Sequence, residues 1–102
     1  MNTKDSNEWG KPAWKFLHTS SFVMKDNLFN KEELYNVLIK FGYLLPCEDC
    51  RTHYNSYIET NPPRFENRMS FSKWLVDLHN DVNVRLGKPT ITYEQAEEMY
   101  SN

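Results

Sequence analysis

The chain has 102 residues, with 12 Lys and Arg against 14 Asp and Glu and a formal net charge of −2. That length holds one hydrophobic core and argues for a single domain over residues 1–102, and the near balance of charge, without basic blocks, excludes nucleic acid as a partner. Aromatic residues make up 15% of the sequence, enough flat surface for a core, an interface or a planar ligand.

Residues 1–8 are polar and read as a flexible leader without the apolar run of a signal peptide. No later segment approaches the roughly 18 apolar residues of a membrane span. The expectation is a soluble protein made in a reducing cytosol. Gly10-Lys11-Pro12 is expected to open a first helix reaching about Met24, in which Trp14, Leu17, His18, Ser21 and Phe22 recur at three- and four-residue spacing. Trp14 and His18 thus share a face. Asn30, with Glu33 three residues on, reads as the N-cap of a second helix, whose apolar stripe of Leu34, Val37, Leu38 and Phe41 runs on to Leu44 and Leu45 as core.

The third helix is expected to start at Pro46, a residue favoured at the first helical position, and to end near Thr60 ahead of Asn61-Pro62-Pro63. Ser70 or Ser72 would cap a fourth helix, with Phe71, Trp74, Leu75, Leu78, Val82 and Leu86 as its stripe and Gly87 and Pro89 as its stop. Thr92 with Gln95 forms a capping box for a short helix holding Ala96, Met99 and Tyr100. The pattern is all-α: a four-helix bundle with a short fifth C-terminal helix. Without βαβ alternation, a thioredoxin-like setting is excluded.

Cys47 and Cys50, the only cysteines, are two residues apart in Leu45-Pro46-Cys47-Glu48-Asp49-Cys50. In a first helical turn, free N–H groups and the helix dipole favour a thiolate. Three uses of the pair stay open. A structural disulfide closing so short a loop constrains the unfolded chain by only about 2 kcal/mol, and a reducing cytosol opposes it. Structural zinc takes two close ligand pairs, and His18, His53 and His79 supply no His-x₃₋₅-His to complement the cysteines. The third use is a dithiol passing electrons to a bound cofactor, and a second cluster bears on it. His79, Asn80 and Asn83 are imidazole and amide groups set among core positions, where they need partners if buried. Ordinary helix–helix hydrogen bonding would satisfy them. Together with Arg85, Lys88, Trp14 and His18, they fit a pocket for a flat polar ligand carrying phosphates. The alternative is a non-catalytic helical module that docks a partner, with zinc at the cysteines.

Gly10-x₃-Trp14-x₃-His18, the cysteine segment, Ser70-Phe71-Ser72-Lys73-Trp74-Leu75 and His79-Asn80-Asp81-Val82-Asn83-x-Arg85-Leu86-Gly87-Lys88-Pro89 resemble the flavin-dependent sulfhydryl oxidases of the Erv/ALR family. The match runs in order over residues 9–100. The resemblance implies a homodimeric helical bundle that binds FAD non-covalently and oxidises protein thiols, with oxygen as acceptor and hydrogen peroxide as product. It carries Gly10, Lys11, Trp14 and His18 to the cofactor from the first helix, and His79, Asn80, Val82 and Asn83 from the fourth. Arg85 and Lys88 fall near phosphates or ribose, and Tyr100 near the adenine, where relatives commonly have tryptophan. Cys50 falls beside the isoalloxazine, Cys47 is the outward sulfur that substrate attacks, and no metal is implied. Glu48 and Asp49 read as solvated first-turn residues.

The sequence departs from many relatives in lacking a distal shuttle pair and a disulfide clamping the C-terminal segment, since Val76 and the region of Tyr93 supply no thiols. Electrons would then enter from a protein dithiol or a separate thiol carrier. This layout is similar to the small enzymes of large cytoplasmic DNA viruses, which implies a place in the host cytoplasm or virion and a part in virion assembly.

Overall fold

The described residues form five helices: α1 (Ser6–Val23), α2 (Lys31–Leu44), α3 (Glu48–Thr60), α4 (Arg68–Arg85) and α5 (Tyr93–Tyr100). The structure, a computed structural model, describes residues 6–25 and 30–101, and no strand occurs among them. The all-α expectation is met. α1 lies along α4, α2 pairs with α3, and α5 packs against α1 and α4. Leu38, Tyr54, Ile58, Phe71, Trp74, Leu75 and Leu78 form the buried core. Burying Leu75 and Leu78, both essentially inaccessible, contributes about 1.5–3 kcal/mol each.

Small side chains set the close approaches. Ser21 of α1 and Ser72 of α4 are both fully buried, with their hydroxyl oxygens 3.0 Å apart. Ser21 donates to the His18 carbonyl at 2.8 Å, and the Arg68 guanidinium donates to the Ser21 carbonyl at 3.1 Å. Ser72 therefore sits at a helix–helix contact and is not the cap of α4, and Ser70 lies inside the helix. The cap is Asn67, whose Oδ1 accepts the Ser70 amide at 2.8 Å. Between α2 and α3 the contact is Gly42, where a Cβ would overlap Asn55 Oδ1 and lie 2.6 Å from the Tyr54 ring. Tyr54 Oη donates to the Leu38 carbonyl at 2.6 Å across the same seam.

Several boundaries differ from expectation. α1 begins at Ser6, so Glu8 belongs to a helix and not to a flexible leader, while residues 1–5 lie outside the described residues. Pro12 falls inside that helix and removes a donor there. Trp9, in the extra turn, lines the wall of a cavity. The stripe on α2 is only half core. Leu38 is buried and Leu34 and Phe41 pack on the core, but Val37 and Leu44, seven residues apart on one face, are 60% and 77% exposed. α3 begins at Glu48 and not at Pro46: its cap is Cys47, in extended conformation with φ −130° and ψ 124°. Pro46 also disfavours helix at the residue before it, and Leu45 is extended.

Other signals are found where the sequence put them. Asn30 accepts the Glu33 amide at 3.0 Å, and the Thr92–Gln95 capping box is complete, with bonds of 3.0 and 2.8 Å. Gly87, at φ 72°, turns the chain out of α4 in a conformation that side-chain-bearing residues rarely adopt, and the Lys88 amide closes the turn on the Asn83 carbonyl at 2.7 Å.

Candidate active site

The helices enclose a cavity of about 650 Å³, within the roughly 300–1,000 Å³ of small-molecule and cofactor sites. α1 lines it with Trp9, Gly10, Lys11, Trp14 and Lys15, α2 with Phe41, and α3 with Cys50, His53 and Tyr54. α4 contributes His79, Val82, Asn83 and Arg85, the following segment Lys88 and Ile91, and α5 Met99 and Tyr100. Lys11, Lys15, Arg85 and Lys88 make the wall cationic, with no carboxylate among its described residues although the chain is net acidic. A cavity with flat aromatic walls and basic groups suits a planar ligand bearing phosphates.

Stacked rings make up one wall. Trp14 and His79 lie nearly parallel, 8° apart with centroids at 4.0 Å. His18, fully buried, stands behind them: its centroid is 5.1 Å from His79 and 4.7 Å from Tyr100, and its Nε2 is 3.0 Å from His79 Nδ1. Spacing on α1 and α4 places these rings on facing surfaces, and the fold joins them. Burial, reinforced by His79, lowers the His18 pKa to about 3, and burial with the nearby Lys88 lowers that of His79 to about 4. Both rings are neutral at pH 7. Two polar atoms here are buried without a partner, His18 Nδ1 and Trp9 Nε1.

Both cysteines are free thiols at the start of α3. Cys50 lines the cavity and Cys47 does not. The Cys47 sulfur accepts the Cys50 amide at 3.2 Å, so one thiol caps the helix that carries the other. Arg51 fastens the turn by donating to the Leu45 carbonyl at 2.7 Å. The helix start was expected to favour a thiolate at Cys50. Instead burial, then the hydrogen bond and charge of Cys47, raise its pKa, outweighing the opposing pull of Arg85. Arg85 thus lies beside the thiol in the same cavity.

Gly10, Lys11, Trp14, His79, Val82, Asn83, Arg85, Lys88, Tyr100 and Cys50 converge on the cavity. His18 supports it from behind. Asn80 is not part of the wall: its amide donates to the Ile91 carbonyl at 2.7 Å and accepts the Ile91 amide at 2.8 Å, which clasps the chain between α4 and α5. Trp9, Lys15 and His53 line the cavity without having been singled out for it. His53 carried a signal, its place one turn after Cys50; Trp9 was hidden by the misplaced start of α1. Among the described residues no three His, Cys, Asp or Glu side chains converge as a metal site requires.

Fold and site together define a small helical dithiol protein, in which one thiol lies outside a cationic, aromatic cavity and the other lines it. The chain belongs to the Erv1/Alr family, whose model matches residues 11–101. It is 34% identical over 94 residues to the FAD-linked sulfhydryl oxidase of African swine fever virus, covering 90% of this chain and 79% of the viral protein. It is 31% identical over 91 residues to the mitochondrial FAD-linked sulfhydryl oxidase Erv1 of Saccharomyces cerevisiae, covering 87% of this chain but 48% of the yeast protein. The crystal structure of the FAD-binding domain of that yeast Erv1 superposes with a TM-score of 0.84 at 28% identity, over 95% of this chain and 94% of the domain.

Proposed function

We propose that this chain is an FAD-linked thiol oxidase that forms disulfides in protein substrates through Cys47 and Cys50. The observation that carries it is the cavity that joins Cys50 to stacked rings and basic groups. These residues fit FAD: Trp14 and His79 offer faces to a flat ring system, Lys11, Lys15 and Lys88 offer charge to a diphosphate, and the partnerless Trp9 Nε1 offers a donor. FAD bound there supplies a two-electron acceptor that oxygen reoxidises, with hydrogen peroxide as product.

The chain's own part is thiol–disulfide exchange. A substrate thiolate attacks Cys47 of the oxidised pair, forming a mixed disulfide and releasing the Cys50 sulfur into the cavity. A second substrate thiolate then attacks the substrate sulfur of that bridge, and substrate leaves as a disulfide while Cys47 and Cys50 remain as a dithiol. Electrons enter at Cys47 from a protein dithiol or a separate thiol carrier. The exposed face of α2 bearing Val37 and Leu44 supports assembly as a homodimer. Similarity to viral enzymes supports a place in host cytoplasm or virion and a part in virion assembly; the yeast relative is named mitochondrial. No helix among the described residues is long and apolar enough to cross a membrane.

The test is the visible spectrum of the purified protein before and after a dithiol, with oxygen consumption followed in parallel. A flavin spectrum that bleaches with dithiol and returns in air is expected, and Cys50→Ser retains flavin but loses turnover. A colourless protein with stoichiometric zinc would favour the non-catalytic module instead.

A further inference from the structure

Reduction of the pair leaves a proton problem at Cys50. Its surroundings favour the neutral thiol, because burial and Cys47 outweigh Arg85. A thiol is a poor electron donor compared with its thiolate, so a group must take the proton. Few groups in the cavity qualify. Lys11, Lys15, Arg85 and Lys88 are cationic donors without a lone pair, and Phe41, the contribution of α2, is apolar. His79 Nδ1 is engaged with His18, and burial makes its ring a weak base. Tyr54 is committed to the Leu38 carbonyl, and burial raises the Tyr100 pKa.

His53 is different. It lies three residues after Cys50 on α3, a spacing that sets Cβ atoms roughly 5–6 Å apart, and both side chains line the cavity. Its Nε2 lies 2.5 Å from Asp81 Oδ2 of α4. A carboxylate only accepts, so Nε2 carries the hydrogen and Nδ1 the lone pair.

We propose that His53, oriented by Asp81, is the catalytic base that takes the proton of the Cys50 thiol. This rests on the reading of Cys47 and Cys50 as the redox pair. The Cys50 S–H bond breaks, an N–H bond forms at His53 Nδ1, and the electron pair stays on sulfur; nothing is oxidised or reduced in the step. The imidazolium so formed is paired with Asp81 through Nε2, and Arg85 is the cation already beside the sulfur. Side chains 29% and 41% exposed at His53 and Asp81 give the proton a route to water on the outer side. The carboxylate thus stabilises the charge that the proton transfer creates.

The test isolates Cys50 in a Cys47→Ser protein, where serine keeps the helix cap, and follows its alkylation by iodoacetamide against pH. His53→Gln is expected to raise the midpoint by about one unit, roughly a tenfold loss of thiolate near neutral pH, and Asp81→Asn to raise it by less. A midpoint unmoved by His53→Gln, in a protein with unchanged helical circular dichroism, would overturn the assignment. Should the His53 variant not fold, the ring titration of His53 by NMR decides in the reduced parent chain. Replacing Cys50 with Ser is expected to shift that titration, by the reciprocity of coupled sites, and an unchanged curve overturns the pairing. Flavin absorbance on each sample keeps the two readings apart. Coupled titrations in a colourless protein sustain the acid–base pair and defeat the cofactor reading; uncoupled titrations in a yellow one do the reverse.

Discussion

Acid should weaken this protein through the paired histidines. His18 is fully buried, with a pKa lowered from 6.5 to about 3 by burial and by His79. A histidine depressed in the folded state contributes stability that is complete above its unfolded value and is lost as pH falls, because the unfolded chain takes up a proton that the native chain refuses. At pH 5 that gap spans 1.5 units below 6.5, worth about 2 kcal/mol for His18 at 1.36 kcal/mol per unit. His79, lowered to about 4 but partly open to the cavity, adds a smaller part in the same direction. The assay is urea unfolding at pH 7.5, 6.5 and 5 for the parent chain and for His18→Phe, which keeps an aromatic ring and cannot titrate. Carboxylates titrate alike in both, so the difference between the two pH dependences reports His18 together with its bond to His79. The variant should lose about 2 kcal/mol less than the parent between pH 7.5 and pH 5. Equal losses in the two proteins would refute the claim that His18 is held neutral by burial.

Gly42→Ala should destabilise by about 1–3 kcal/mol in thermal or urea unfolding despite alanine's better helix propensity, because the new Cβ overlaps Asn55 and the Tyr54 ring. Asn80→Ala removes two hydrogen bonds to Ile91 and should cost about 1–3 kcal/mol. Since Asn80 lies outside the cavity wall, it should speed release of the bound ligand, read by fluorescence, chiefly by loosening the approach to α5. Thr92→Ala breaks the capping box of α5 and should cost about 1 kcal/mol, measured by denaturant midpoint.

Signals carried by a few neighbouring residues were legible in the sequence. The five helices, the caps at Asn30 and Thr92, and the stop at Gly87 depend on local backbone geometry, which is set within a turn or two of chain. The Cys-x-x-Cys pair and the polar run from His79 to Lys88 were visible for the same reason. Failures arose where packing overrode a local preference. Pro12 is a strong break in isolation, yet α1 runs through it, and Trp9 in the turn before it lines the cavity. Ser72 is a good cap in isolation, yet it is spent on the contact with Ser21.

What the sequence by itself determined is the set of helices and the chemical inventory: two thiols, three imidazoles and a group of cations with no basic block. Tertiary structure alone decided their assignment. It put Cys50 inside the cavity and left Cys47 out, set His18 behind His79, spent Asn80 on a backbone clasp, and brought Asp81 to His53 across two helices. The physical reason is that helical periodicity fixes which residues share a face, while the partner of that face is fixed only when helices distant in sequence compete to bury it. The same burial decided protonation. A helix start favours a thiolate, but partial burial of Cys50 beside Cys47 reversed that preference.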